Sequence, residues 1–145
     1  VKKYPFKLVI EKKKGLNLAR NVGIKSGNGD IIAFTDADCI VPSNWIKKIV
    51  ENFKDPMVSC VGGSTKSLEN NFVSQYADNS IVRLMPLFRK REELNEVKPF
   101  FKHPAGCNMA FRRKVAKEVG YFDELIQFGF DEVEFHCRPA IGQRR

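Results

Sequence analysis

Two acidic pairs in this chain could do chemistry. Asp36 and Asp38 flank Ala37 directly after the apolar run Ile31-Ile32-Ala33-Phe34-Thr35, and Asp131 stands beside Glu132 towards the other end. Carboxylates crowded like Asp36 and Asp38 repel one another unless a cation or a donor-rich ligand lies between them. Hard divalent ions such as Mg²⁺ or Mn²⁺ take oxygen ligands and usually share them with substrate phosphates. Ligands of open α/β sheets bind at strand ends, so the first pair points to a metal-bound phosphate. The second pair has the pattern of a helix start, where the helix dipole keeps carboxylates ionised. An ionised carboxylate over a hydroxyl group can act as a general base. Each pair alone also fits a solvated turn or a helix N-terminus; their combination on one sheet points to a site.

Local patterns supply the elements that must position these residues. Lys7–Ile10 reads as a short strand closed by Glu11-Lys12-Lys13-Lys14-Gly15. Leu16–Ser26 reads as a helix with Leu18, Ala19 and Val22 on one side and Gly27 as its stop. Ile31–Thr35 is apolar throughout, as strands inside a parallel sheet are. Ser43 can cap a helix whose stripe is Trp45, Ile46, Ile49, Val50 and Phe53. Met57–Val61 and Cys107–Phe111 read as strands, and Asn71–Phe88 and Arg112–Val119 as helices, the latter stopped by Gly120. Arg89–Lys98 is a dense charge run, read as solvated. A last helix opens at Asp131 and is expected to stop at Pro139. Alternating strands and helices argue for an α/β layered sheet.

Composition sets bounds. A chain of 145 residues makes one domain, and 43% hydrophobic with 29% charged residues is the balance of a soluble globular protein. The longest apolar run is far too short to span a bilayer, and Val1–Pro5 has no signal-peptide pattern. Cys39, Cys60, Cys107 and Cys137 are scattered without metal-ligand spacing to each other or to His103 and His136, which suits a reducing cytoplasm. The net charge of +8 is segregated: residues 1–25 carry eight Lys/Arg against Glu11 alone, whereas 119–137 carry five acids and no Lys or Arg. Such segregation fits an anionic partner at one place and acid chemistry at another. Nucleic acid, an anionic membrane surface and a nucleotide diphosphate all satisfy it.

The motifs themselves resemble a known family. The block Gly15–Ile24 containing Ala19-Arg20-Asn21, followed by Gly29–Asp38, resembles the middle of a family 2 glycosyltransferase with the GT-A fold. Gly106-Cys107-Asn108 through Arg113, then Val119–Glu124, resembles that family's acceptor half, and Gly129–Arg138 resembles the helix that bears its base. The resemblance covers residues 15–138 in the family's order. It implies a GT-A type, Rossmann-like α/β fold, with a mixed and mostly parallel sheet flanked by helices, incomplete at the N-terminus. One partial domain, 1–145, would comprise a donor and metal half at about 1–66 and an acceptor and catalytic half at about 67–145.

The same resemblance implies an inverting transfer from a nucleotide-diphosphate sugar to a hydroxyl of a glycan or lipid-linked acceptor, as in cell envelope polysaccharide synthesis. Asp36 and Asp38 would meet the donor and hold a divalent cation, Mg²⁺ or Mn²⁺. Gly15, Arg20 and Asn21 would lie at or behind the donor pocket; Gly106, Asn108 and His103 would line the acceptor side. Register from Val133-Glu134-Phe135 places Glu132 where the family has its base Asp, and Asp131 on the Glu before it. Because that order is reversed, both remain candidates for the base. Gln143-Arg144-Arg145 lacks the Trp of the processive synthases' signature. The expected setting is cytoplasmic, including peripheral contact with the membrane face, and no nucleic-acid partner.

Two other classes compete. Phosphatases of the haloacid dehalogenase type also place D-x-D after a buried strand, with the first Asp as nucleophile. Their motif wants Thr or Val where Ile40 stands, and they leave Gly15–Ile24 unexplained. A basic nucleic-acid-binding module would suit the Lys-rich start, but no recognition helix or stacking strand accompanies it.

Overall fold

The structure, a computed structural model, describes residues 5–79, 103–127 and 129–142. In chain order these form α1 (Leu16–Ser26), β1 (Ile31–Phe34), α2 (Trp45–Asn52), β2 (Cys60–Gly62), α3 (Phe72–Asn79), a 3-10 turn (Gly106–Asn108), β3 (Met109–Arg112), α4 (Arg113–Val119) and α5 (Asp131–Gly142). The expected continuation of α3 to Phe88 and the charge run Arg89–Lys98 lie outside the described residues.

The three strands form one sheet in the order β1-β3-β2. β3 runs antiparallel to both neighbours, with Phe34 opposite Met109 on one side and Gly62 opposite Met109 on the other. This corrects the expectation of mostly parallel pairing for the described strands. The two outer strands do share a direction, as a β1–α2–β2 crossover requires. That crossover leaves one strand position open between them, and β3 fills it from the opposite direction.

Both faces of the sheet are covered, which is why β1 is apolar at every position. On one face Ile31, Ala33, Ala110 and Val61 pack against Trp45 and Ile49 of α2 and Phe53 at its C-terminal cap. On the other, Ile32, Phe34, Met109 and Phe111 meet Ile24 of α1, Ala116 of α4 and Phe135 of α5. Phe122 stacks on Phe135 with ring centroids 4.4 Å apart, and Phe111 lies 5.0 Å from the same ring. Two arginines at the end of β3 tie the layers together through backbone oxygens. Arg112 donates to the carbonyls of Phe53, Asp55 and Val58, and Arg113 to those of Ile24 and Gly29.

Several local expectations are corrected. Lys7–Ile10 forms no strand and pairs with neither outer edge of the described sheet. The buried side of α1 is Asn17, Arg20, Asn21 and Ile24, while Leu18 and Val22 are half-buried and Ala19 is exposed. In α2, Ile46 and Val50 face outward, because a single helix over a narrow sheet buries only its Ile49–Phe53 side. Its N-cap is Asn44 rather than Ser43. α5 runs through Pro139 to Gly142; a proline this near a helix end forfeits one N–H bond and leaves only the last turn beyond it. Gly120 stops α4 as expected, in a left-handed conformation with φ 100°.

Phe135 is 1% exposed at the centre of the aromatic cluster. Phe135→Ala is expected to lower stability by about 3–5 kcal/mol, read as a shift in the urea unfolding midpoint.

Candidate active site

The register of β1 on β3 determines what meets at the end of the sheet. Phe34 pairs with Met109, so the chain continuing past β1 through Thr35 and Asp36 runs beside the chain arriving at β3 through Cys107 and Asn108. Asp36-Ala37-Asp38 closes there as a tight turn, with the Cys39 N–H on the Asp36 carbonyl at 3.1 Å. Both carboxylates are exposed. Opposite them Cys107 is buried, and its thiol is pushed up to about 11 by burial first, with the nearby Cys39 thiol and Asp36 carboxylate adding to the effect.

The 3-10 turn is built without spare room. Asn108 accepts a hydrogen bond from Trp45 Nε1 at 3.0 Å and donates to the Ser64 carbonyl at 3.1 Å. A Cβ on Gly63 would stand 2.3 Å from the Asn108 amide, and one on Gly62 would stand 2.7 Å from Pro104. At Gly106 a Cβ would fall 2.2 Å from both Arg20 Nη2 and Glu132 Oε1. The Gly106 N–H donates to that same Oε1 at 3.0 Å.

α5 brings the second acidic pair to this turn. Asp131 is 4% exposed and pairs with Arg20 Nη1; Glu132 is 17% exposed and accepts from Arg20 Nη2 at 3.2 Å. Arg20 is itself buried and lies over the Phe122 ring. Its neighbours on α1 hold the segment that leads into α5. Asn17 donates to the carbonyls of Asp123 and Ile126, and Asn21 to that of Phe122, whose N–H returns to the Asn21 oxygen at 3.0 Å.

The candidate residues therefore fall into two groups joined by one turn. Asp36 lies near Cys107 of the turn, with Asp38 two residues on in the same exposed turn; Glu132 lies against Gly106, with Asp131 and Arg20 behind it. Asn108 belongs to the turn, and its amide is occupied by Trp45 and Ser64. The Arg20 and Asn21 side chains point to α5 and to residues 122–124. Gly15 is exposed at the start of α1, where its carbonyl accepts from the Ala19 N–H. His103 is half-buried, 3.1 Å through Nδ1 from the Pro104 carbonyl, and close enough to His136 to act on its charge. His136 is pushed down to about 4, by burial first and then by His103, while Glu132 opposes the shift. Its Nε2 lies 3.9 Å from Cys60 Sγ, a thiol that burial raises to about 12.

Sequence reading missed Asn17, the Trp45–Asn108 bond and the Cys39–Cys107 approach. A signal for the first existed, because Asn17, Arg20, Asn21 and Ile24 have the i, i+3, i+4, i+7 spacing of a buried helix face. A cleft of about 410 Å³ lies elsewhere, on the Glu134–Arg138 side of α5. It is lined by none of the four candidate carboxylates. Arg138 there is committed to Glu134 and to the carbonyls of Val119 and Tyr121.

Comparison with known proteins decides the family. The model of Glycosyl transferase family 2 matches residues 1–120. The chain belongs to that family. It is 26% identical to glycosyltransferase AglE of Haloferax volcanii over 94% of this chain and 49% of that protein. It is 27% identical to a probable N-acetylgalactosaminyltransferase 7 of Caenorhabditis elegans over 81% of this chain and 22% of that one. A glucosyl-dolichyl phosphate glucuronosyltransferase of Haloferax volcanii is 25% identical over 90% and 42%, respectively. The chain thus spans about half the length, or less, of the curated relatives it matches. No solved structure matches it significantly. Family membership carries the GT-A fold, of which the sheet and helices described above are a part, and replaces the phosphatase and nucleic-acid readings.

The two aspartates suit a divalent cation in kind, as exposed hard oxygen donors in one turn. Among the described residues no three His, Cys, Asp or Glu gather to complete a cage, so further ligands would have to be phosphate oxygens or water. No helix among the described residues is long and apolar enough to cross a membrane.

Burial of His136 has a pH consequence. Its folded value, about 4, lies below the ordinary 6.5, so its contribution is fully present above pH 6.5 and is lost as pH falls towards 4. Between pH 7 and 5 the loss is expected to be about 2 kcal/mol, measured as a falling urea midpoint. His136→Gln should flatten that slope.

Proposed function

We propose that this chain carries the donor turn and the general base of an inverting, metal-dependent glycosyltransferase acting on a nucleotide-diphosphate sugar. The observation that supports this most is the shared turn at Gly106–Asn108. Cys107 lies near enough to Asp36 to feel its charge, and the Gly106 N–H donates to Glu132. A donor phosphate end and a carboxylate base are thereby served by one rigid piece of backbone.

Family membership supports the transferase class, and the geometry suggests which residue does what. Asp36 and Asp38 are the donor-binding and metal-holding carboxylates; a divalent cation held there would neutralise charge on the departing diphosphate. Glu132 is the better candidate for the base, because it keeps access to solvent whereas Asp131 is buried against Arg20. It takes the proton from an acceptor hydroxyl while that oxygen attacks the anomeric carbon opposite the diphosphate. The carbon–oxygen bond to the diphosphate breaks, and the configuration inverts. Gly106, His103 and the Asn108 backbone line the acceptor approach.

The name of one relative specifies a dolichyl-phosphate-linked sugar. A glycan or lipid-linked hydroxyl is accordingly the acceptor class we propose, with the Lys-rich segment 2–14 providing peripheral contact with an anionic membrane surface.

Calorimetric titration with a panel of nucleotide-diphosphate sugars in Mn²⁺ tests the donor half. Asp38→Ala is expected to weaken metal-dependent binding at least tenfold, and unchanged affinity would overturn the assignment. Glu132→Gln is expected to leave donor binding within about twofold and to reduce transfer about 10²–10⁴-fold.

A further inference from the structure

Two adjacent carboxylates and one arginine leave a net negative charge, and the contacts show where it resides. Asp131 is nearly fully buried, and no described group other than Arg20 bonds its carboxylate oxygens. A buried carboxylate is tolerable only when paired, so the Arg20 charge is spent chiefly on Asp131. The resulting pair is neutral overall. Its second nitrogen, Nη2, still reaches Glu132 Oε1 at 3.2 Å, and the Gly106 N–H reaches the same oxygen at 3.0 Å. Oε1 thus accepts two hydrogen bonds, whereas Oε2 accepts none from the described residues. The absent Cβ at Gly106 is a condition of this arrangement, since an alanine there would overlap both partners.

Resting on the reading of Glu132 as base, we propose that Arg20 and Asp131 are positioning residues. As a buried neutral pair they hold Oε1 of Glu132 together with the Gly106 N–H, so that Oε2 is the oxygen that receives the acceptor's proton. The acceptor O–H bond breaks, the Oε2–H bond forms, and the freed electron pair makes the bond to the anomeric carbon as the diphosphate leaves. The role of Asp131 is to consume the arginine's charge. Glu132 is then oriented by a guanidinium whose charge is already balanced. The other titratable groups near Glu132 are His136, one turn along α5, and His103 beside it.

The charge logic makes the two partners behave oppositely, which a purely structural role would not. Asp131→Asn keeps the shape but turns the arginine's full charge on Glu132. Arg20→Met leaves two carboxylates side by side, with one forced to keep its proton. The Gly106 amide proton, hydrogen-bonded to Oε1, reports protonation of Glu132 by NMR without any turnover. Its pH midpoint is expected to fall by about one unit in Asp131→Asn and to rise by about one unit in Arg20→Met. Arg20→Lys should restore most of the wild-type midpoint. The titration should vanish in Glu132→Gln.

A Gly106 signal that keeps its midpoint in Asp131→Asn overturns the proposal, and this isosteric variant decides the matter even if Arg20→Met fails to fold. Where transfer is measurable, the acidic limb of kcat should move in the same directions. Shifted midpoints without any donor binding or transfer would uphold the carboxylate pair and remove the glycosyl-transfer reading. Normal transfer with immobile midpoints would do the reverse.

Discussion

The Arg20–Asp131 ion pair is the constraint from which the rest of this half of the molecule follows. Two charges taken out of water cost several kcal/mol each, repaid only by close contact and full hydrogen bonding. α1 and α5 therefore cannot separate, rotate or slide without exposing an uncompensated charge to an apolar interior. Apolar helix packing would tolerate small shifts; a buried pair with directional bonds does not. Asn17, one turn before Arg20, and Asn21, the residue after it, extend the same logic, fixing the carbonyls of Phe122, Asp123 and Ile126 in the segment that leads into α5. What reads as a polar helix is a bracket, and its cost in desolvation is matched by the accuracy with which it sets Glu132.

That bracket also explains how two neighbouring carboxylates can do different work. Asp131, Glu132 and Glu134 all lie in the first turn of α5, where the unpaired N–H groups favour negative charge. Helical geometry turns them about 100° apart per residue. One faces inward to Arg20, the next lies along the rim against Gly106, and the third faces Arg138. Sequence adjacency in a helix thus becomes separation in environment, and environment assigns the roles.

Much of this was legible in the residues, and the failures share a cause. Helix α1, strand β1, the stop at Gly120 and the start of α5 at Asp131 follow from local patterns that no tertiary contact overrides. The D-x-D turn was recognisable because an apolar strand ended on it. Lys7–Ile10 has the composition of a strand but not a paired edge, which composition alone does not supply. The inner face of α1 departs from the apolar expectation because Asn17, Arg20 and Asn21 face the interior hydrogen-bonded to groups of the C-terminal segment. Glu132 and Asp131 could not be ranked from sequence, since the ranking depends on one arginine contributed from the far end of the chain. The closeness of Cys107 to Asp36 was invisible for the same reason.

The antiparallel course of β3 is what joins these parts, and a parallel strand could not have done so. A parallel neighbour of β1 would begin at the opposite end of the sheet, carrying its preceding loop away from Asp36 and Asp38. Running antiparallel, β3 begins where β1 ends, so the turn before it lies beside the turn after β1. The same turn meets β2 on its other side, where the Gly63 N–H donates to the Asn108 carbonyl at 3.0 Å. Gly62, Gly63 and Gly106 lack side chains at the points where the three segments converge, and each would clash if it had one. A donor turn and a base from different layers can share the three-residue turn Gly106–Asn108 only because the sheet reverses direction at that strand, and because glycine keeps the junction narrow.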